Sequence, residues 1–325
     1  MEQDWSTPSL AAVFDFGAAN MDQLDRDLIS TWVGRMVNST RHFLNRNTKR
    51  GSRRNIAQHY DLGNEFFSKW LDPSMTYSAA DFLDAENIPL YMAQENKYRR
   101  IVDRLGVKTG DHILEIGCGW GGFAEFAATQ AGANVTAVTI SKEQHDFAQS
   151  RMERSGLAGQ VSVELKDYRD IVGTYDHVVS IEMLEAVGEA FWLDYFETLS
   201  RCLRAGAGAV VQVITVPDSK FDYYRRNVDF IQKYIFPGGM LPCPGAMSDV
   251  ANTAGLTLED VYMFGSDYAR TLDLWRDSFE AKWPVIKAMG FDDYFKRMWE
   301  YYLHYTAAGF RSGATDVGQF LFRKL

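Results

Sequence analysis

From residue 112 to the end of the chain, short apolar runs alternate with segments whose apolar residues recur at helical spacing. HILEI (112–116), VTAVTI (135–140), VSVEL (161–165), HVVSI (177–181) and AVVQVIT (209–215) read as five strands. LTLEDVYMF (256–264) reads as a sixth, and VGQFLF (317–322) alternates well enough to be a seventh. Helices fill the gaps, among them 142–154 and 191–203. This alternation predicts an α/β chain wound around a parallel sheet. Before about residue 105 the pattern is helical and irregular. Two blocks interrupt the order. Residues 217–256 hold the aromatic-rich FDYYRRNVDFIQKYIF and the turn-rich PGGMLPCPG, and a helical block at 268–310 separates the last two strands. Insertions beyond the carboxyl ends of strands are where such sheets build substrate pockets.

The first strand runs into ILEIGCGWGGF (113–123), which places Gly117, Gly119, Gly121 and Gly122 in the turn before a helix. Glycines there let the backbone approach a ligand closely and adopt positive φ. The order is G-x-G-x-G-G, not the G-x-G-x-x-G of a dinucleotide site. The second strand also reaches Thr139 without the acid that would take a ribose diol in an NAD site. Glu115, just before the first glycine, would repel a pyrophosphate but suits a cofactor with a cationic amino group. That combination points to S-adenosylmethionine. The plainer alternative is a packing turn in a doubly wound sheet.

Composition narrows the class further. With 325 residues, 46% hydrophobic and 24% charged, the chain is an ordinary globular protein, not a disordered, collagen-like or coiled-coil one. No apolar run is long enough to span a bilayer, and MEQDWSTPSL lacks the basic-then-apolar order of a signal peptide. Cys118, Cys202 and Cys243 have neither zinc nor redox spacing, which predicts a reduced, cytoplasmic protein. The net charge of −9 argues against a nucleic-acid partner. Yet no acid lies between Asp27 and Asp61, while Arg35, Arg41, Arg46, Lys49, Arg50, Arg53 and Arg54 do. Leu28, Trp32, Met36 and Phe43 give this stretch an amphipathic helical pattern. Such a segment can lie on an anionic membrane, at about 1 kcal/mol per basic residue. Equally, it can be a solvated helix whose apolar face joins the core.

Several blocks carry a resemblance: HYDLGNEFFSKWLDPSMTYS (59–78), LEIGCGWGG (114–122), VTISKEQ (138–144), KDYRD (166–170), DFIQKYIFPGG (229–239) and DYARTLDLW (267–275). Together they resemble the cyclopropane fatty acid synthase family, a branch of the class I methyltransferases that includes the mycolic acid cyclopropane synthases. The likeness runs from about Arg53 onward. It implies a Rossmann-like seven-stranded sheet over residues 56–325 with helical insertions above the site; residues 1–55, which add little to the likeness, read from their own pattern as a helical basic segment. It also implies that Tyr77, Ser78, Gly117 and Gly119 meet the methionine part of S-adenosylmethionine. Thr139 and Gln144 would hold the ribose, with Asp167 and Tyr168 beside the adenine.

The reaction that the resemblance implies is methyl transfer to the double bond of an unsaturated phospholipid acyl chain. A carbocation follows, so the site must be dry and lined by aromatic faces. Phe221, Tyr223, Tyr224, Phe230, Tyr234 and Phe236 are the aromatics on offer in the insertion. Family members lose the proton to a bound bicarbonate, and the matching positions here are Glu185, Tyr268, Gln212 and the Ile181 carbonyl. Two ligands have changed, since Ala79 stands at the family's Cys and Gln212 at its His. Ala186 also replaces a His commonly found after the Glu. Gln212 can still donate to an anion through its amide, whereas the Ala79 side chain cannot. The product is therefore either a cyclopropane or a methyl- or methylene-branched chain, with the changed cradle tilting towards the latter. Further readings are a small-molecule methyltransferase of the same ancestry and a non-catalytic lipid or cofactor binder. Peripheral attachment to the inner face of the membrane is expected, and homo-oligomerisation stays open.

Overall fold

The computed structural model describes residues 6–20, 51 and 62–325. The basic residues Arg35 to Arg54 lie outside them. The described strands are β1 (His112–Ile116), β2 (Asn134–Thr139), β3 (Val161–Leu165), β4 (Tyr175–Ile181), β5 (Leu203–Thr215), β6 (Leu256–Met263) and β7 (Asp316–Lys324). They form one sheet in the order β3-β2-β1-β4-β5-β7-β6. β1 to β5 pair in parallel, and β7 runs antiparallel to both β5 and β6. This is the class I methyltransferase sheet. The strand order reverses between β1 and β4, and loops at that reversal splay apart into a crevice. The glycine loop and the segment after Ile181 leave the sheet there.

Alternation along the strands builds two cores. Leu114, Val178, Val211 and Phe320 face one way, and Ile113, Val179, Val210 and Leu321 the other. The described helices are α1 (Leu10–Ala19), α2 (Asn64–Ser68), α3 (Leu90–Leu105), α4 (Gly122–Ala131), α5 (Lys142–Arg154), α6 (Trp192–Cys202), α7 (Asp218–Tyr224), α8 (Pro244–Thr253), α9 (Gly265–Ala288) and α10 (Asp293–Arg311). α6 and α8 cover the first face, while α3, α4 and α5 cover the second. Their ends follow local chemistry. Ser141 caps α5 by accepting from the Gln144 amide, and Asp292 caps α10 by accepting from Phe295. Gly106, at φ +66°, ends α3 in the left-handed conformation that a Cβ disfavours.

A third core is rich in aromatic rings. Phe66, Phe67 and Trp70, in and just after α2, pack against Trp275 and Phe279 of α9 and Trp299 and Tyr302 of α10. Phe66 has no exposed surface, and its ring meets those of Phe67, Trp70, Phe279, Phe291, Phe295 and Trp299. Among the described residues, no helix is long and apolar enough to cross a membrane.

Because so many rings meet on Phe66, its neighbours cannot collapse into the space it would leave. Phe66→Ala is expected to destabilise the protein by about 3–5 kcal/mol. Denaturant unfolding measures this. A loss below about 1 kcal/mol would mean that the cap is not a sealed core.

Candidate active site

The glycine loop is shaped by two restraints. The amides of Gly117 and Cys118 both donate to the Val138 carbonyl, which pins the loop to the end of β2. At Gly117 φ is +83°, and a Cβ there would stand 2.8 Å from Cγ of Met183. Only glycine fits. Trp120 Nε1 donates to Asn64 Oδ1 at 2.6 Å and thereby ties α2 to the loop.

One cavity of about 920 Å³ runs from this loop to the aromatic core. That is near the upper end of the roughly 300–1,000 Å³ usual for a ligand site. Tyr77, Ser78, Glu115, Gly117, Gly119, Thr139, Gln144, Asp167 and Tyr168 all line it. Sequence separations of up to 91 positions thus close onto a single space. Thr139 Oγ1 donates to Gln144 Oε1 at 3.0 Å, so these two side chains are held as a pair. Asp167 is fixed by Arg169 at 2.7 Å, beside the Tyr168 ring. The Tyr77 hydroxyl meets the Tyr302 hydroxyl at 2.9 Å, and the ring leans on Phe67, Trp70 and Trp275. Ser78 Oγ accepts from Lys97 Nζ at 2.6 Å, and its carbonyl accepts from Gln94 Nε2.

Glu115 is 3% exposed, and its Oε2 has no hydrogen-bond partner within the protein. Burial pushes its carboxyl up to about 8, against a backbone hydrogen bond from Ala124 that pulls it down. A buried, unpartnered carboxylate oxygen on a residue that lines a cavity is a candidate seat for a cation.

Donors from three of the positions expected to cradle an anion, Ala79, Gln212 and Tyr268, meet at Glu182. Ile181, Glu185 and Tyr268 line the cavity. Glu185, however, turns one oxygen to the Ile214 amide at 2.7 Å. Burial pushes its carboxyl up to about 8, and the neighbouring Glu182 adds to the rise. Glu182, three residues earlier in IEMLEAVG, takes the donors. Its Oε1 accepts from the Ala79 amide and from Gln212 Nε2, each at 2.8 Å, and its Oε2 accepts from the Tyr268 hydroxyl at 2.8 Å. The sequence reading passed over Glu182 because the family motif draws attention to the second carboxylate of the pair. It also passed over Lys97, which has no exposed surface and stands on α3 outside every quoted motif.

Of the six insertion aromatics, Tyr223, Tyr224 and Phe236 line the cavity. Phe221 belongs to the sheet core, stacked on Trp192, and Phe230 packs against Tyr234 and Tyr301. An aromatic-rich helix serves core and cavity at once, so composition could not separate them. The other aromatic wall comes from α10, as Tyr302, Tyr305 and Phe310, and from Phe14 of α1. Helical spacing along α10 was the signal that could have found them.

Comparison with known proteins agrees with this geometry. The mycolic acid cyclopropane synthetase family matches residues 47–320. The chain is 42% identical to a tuberculostearic acid methyltransferase of Mycobacterium tuberculosis, over 98% of this chain and 76% of that protein. It is 40% identical to the cyclopropane-fatty-acyl-phospholipid synthase of Escherichia coli, over 82% of this chain and 67% of that one. A mycolic acid cyclopropane synthase solved with SAH and CTAB superposes with a TM-score of 0.78 at 30% identity, covering 84% of this chain and 98% of that structure. The sheet order, the glycine loop and these matches agree: the chain belongs to the mycolic acid cyclopropane synthetase family and is an S-adenosylmethionine-dependent methyltransferase.

Proposed function

We propose that the chain methylates a carbon of the double bond in an unsaturated acyl chain of a phospholipid. The observation that carries this reading is the single cavity in which a cofactor-shaped polar end opens onto an aromatic, water-excluding wall. Relatives at about 40% identity that are named for fatty acyl chemistry support it. S-adenosylmethionine supplies an electrophilic methyl on a sulfonium centre. The residues present fit it, because Glu115 offers an unpaired carboxylate oxygen to a cationic amino group. Thr139 and Gln144 offer a paired polar edge for a ribose, and Tyr168 a ring for a base. Tyr223, Tyr224, Phe236, Tyr302, Tyr305 and Phe310 surround the space left for the acyl chain. Their faces stabilise a cationic carbon while keeping water from trapping it. A nitrogen nucleophile would need neither feature, which disfavours the small-molecule alternative.

The basic segment completes the picture as the membrane contact. Its seven cations stand on an otherwise acidic chain. The sparsely charged helix α1, with Phe16 69% exposed, also sends Phe14 and Gly17 to the cavity. An acyl chain drawn from an anionic bilayer would enter beside it.

Three measurements test this reading. Incubation with methyl-labelled S-adenosylmethionine and unsaturated phospholipid vesicles should place the label on acyl chains, as read by mass spectrometry. Label found only on amines or headgroups would overturn it. Charge reversal at Arg46, Lys49, Arg50 and Arg53 should weaken sedimentation with anionic vesicles and leave cofactor affinity unchanged. Salt should mimic it, since exposed charges are screened within roughly 10 Å at 0.1 M. Finally, the Glu115 carboxyl titrates near 8, and a cationic ligand selects its ionised form. Affinity for S-adenosylhomocysteine, which keeps the amino group, should therefore rise from about pH 6 to 8 and then level off. Glu115→Gln should flatten that rise and weaken binding at pH 8 by about ten-fold or more. Calorimetry that finds the same pH slope in the variant would remove Glu115 from the cofactor site.

A further inference from the structure

We propose that Glu182 is the resident proton acceptor of the reaction, held by donors from three other segments of the chain and linked through the Gln212–Gln319 pair to the backbone of Lys97. The inference rests on the acyl-methylation reading and names the base within it. Three donors converge on one carboxylate: the Ala79 amide, Gln212 Nε2 and the Tyr268 hydroxyl, each at 2.8 Å. Together they occupy both oxygens and so favour the anion, because a protonated carboxyl would have to turn a hydrogen towards one of them. These are the very positions at which the sequence reading expected an anion from solution to be held. Here the anion is part of the chain.

The backbone at Glu182 is built for this placement. Its φ is +50°, a left-handed conformation uncommon for a residue with a side chain, while its amide donates to the Gln212 carbonyl at 2.7 Å. Strain of that kind persists where the surroundings over-determine a functional residue. Two effects then oppose each other at the carboxyl. Burial raises it and prevails, and Lys97, whose own ammonium burial lowers to about 7, is the largest influence pulling it back. Lys97 is itself fixed, donating to Ser78 Oγ and to Gln94 Oε1. Its backbone carbonyl accepts from Gln319 Nε2, and the same amide nitrogen donates to Gln212 Oε1. The ammonium, the glutamine pair and the carboxylate therefore form one connected network.

The step balances as follows. The π pair of the alkene bonds the methyl carbon while the S–CH3 pair leaves with the sulfide, and the other alkene carbon becomes cationic. Glu182 then takes one proton and becomes a neutral acid. If the proton comes from the new methyl group, its C–H pair closes a cyclopropane. If it comes from a carbon next to the cationic centre, that pair forms a new double bond in a methyl-branched chain. A base anchored to the chain takes the proton within its reach, so its position sets the product.

The test uses the full-length protein and lipid vesicles in buffer depleted of carbonate. Glu182→Gln should lower turnover by about 10²–10⁴-fold, the usual worth of a positioned acid–base group, and leave S-adenosylhomocysteine affinity nearly unchanged. Glu182→Ala, which opens the cradle, should regain turnover when sodium bicarbonate or formate is added, whereas the parent should not respond. The counter-charge is read in the pH profile. Tyr268 and Glu185 also face Glu182, and Asp72, Asp81 and Glu115 face Lys97, so only a change of the acid limb is diagnostic. Lys97→Met should move that limb to higher pH, and Lys97→Arg should restore it. A parent enzyme that methylates lipid only with added bicarbonate would overturn the proposal. So would a Glu182→Gln variant with parental turnover, or an acid limb unmoved in Lys97→Met. A parent that labels no acyl chain under any condition would instead sink the substrate reading, which keeps the two failures apart.

Discussion

Charge inside a space that must exclude water is the constraint on which the rest of the structure depends. An unpaired ion there would cost several kcal/mol, so a charge needs partners supplied by the fold or, as at Glu115 Oε2, by a ligand. The protein meets this with one connected polar network. Lys97 on α3 bonds Ser78 and Gln94, and its carbonyl reaches Gln319 on β7. From there the chain of bonds passes through Gln212 on β5 to Glu182 after β4 and to Tyr268 on α9. Elements far apart in sequence are held in register because each carries a member that the others need. Losing a member of such a network is costly, and in this one Gln319 Oε1 is the atom left without a partner.

Around that network the aromatic core does a second job. Trp70, Trp275 and Trp299 have essentially no exposed surface; Trp70 meets the other two edge to face, and Trp299 stacks on Phe295. Such packing is dense and stiff. It backs the side of the cavity that Tyr77, Tyr268, Tyr302 and Phe310 line. The sheet supplies the opposite, polar end. Because β1 and β4 lie at the strand-order reversal, the glycine loop and the carboxylate-bearing loop open onto the same crevice. Polar and apolar ends thus meet without a separate domain to bring them together.

Much of this was legible in the sequence, for identifiable reasons. β1 is a buried apolar run and edge strand β3 alternates buried and exposed positions, so both could be bounded to the residue, and the remaining strands to within a few residues except at the start of β5. The glycine loop announced itself because a close backbone approach at Gly117 tolerates no side chain. Thr139, Gln144, Asp167 and Tyr168, named through the resemblance, line one cavity: Thr139 ends β2, Gln144 lies in the first turn of α5, and Asp167 and Tyr168 follow β3.

What the sequence by itself determined was the class of the sheet, the cofactor loop and the aromatic character of the substrate space. These follow from local rules: apolar periodicity, glycine conformation and side-chain type. Only the tertiary structure decided which carboxylate of IEMLEAVG meets Ala79, Gln212 and Tyr268. Glu182 and Glu185 are chemically identical and three residues apart, and no local rule separates them. The choice rests on a left-handed backbone turn at Glu182 and on donors arriving from three other segments of the chain. It also rests on the Ile214 amide, which takes hold of Glu185 and turns it aside. Long-range contacts settle such a choice because the free energy of burying a carboxylate lies in its partners, not in its own position along the chain.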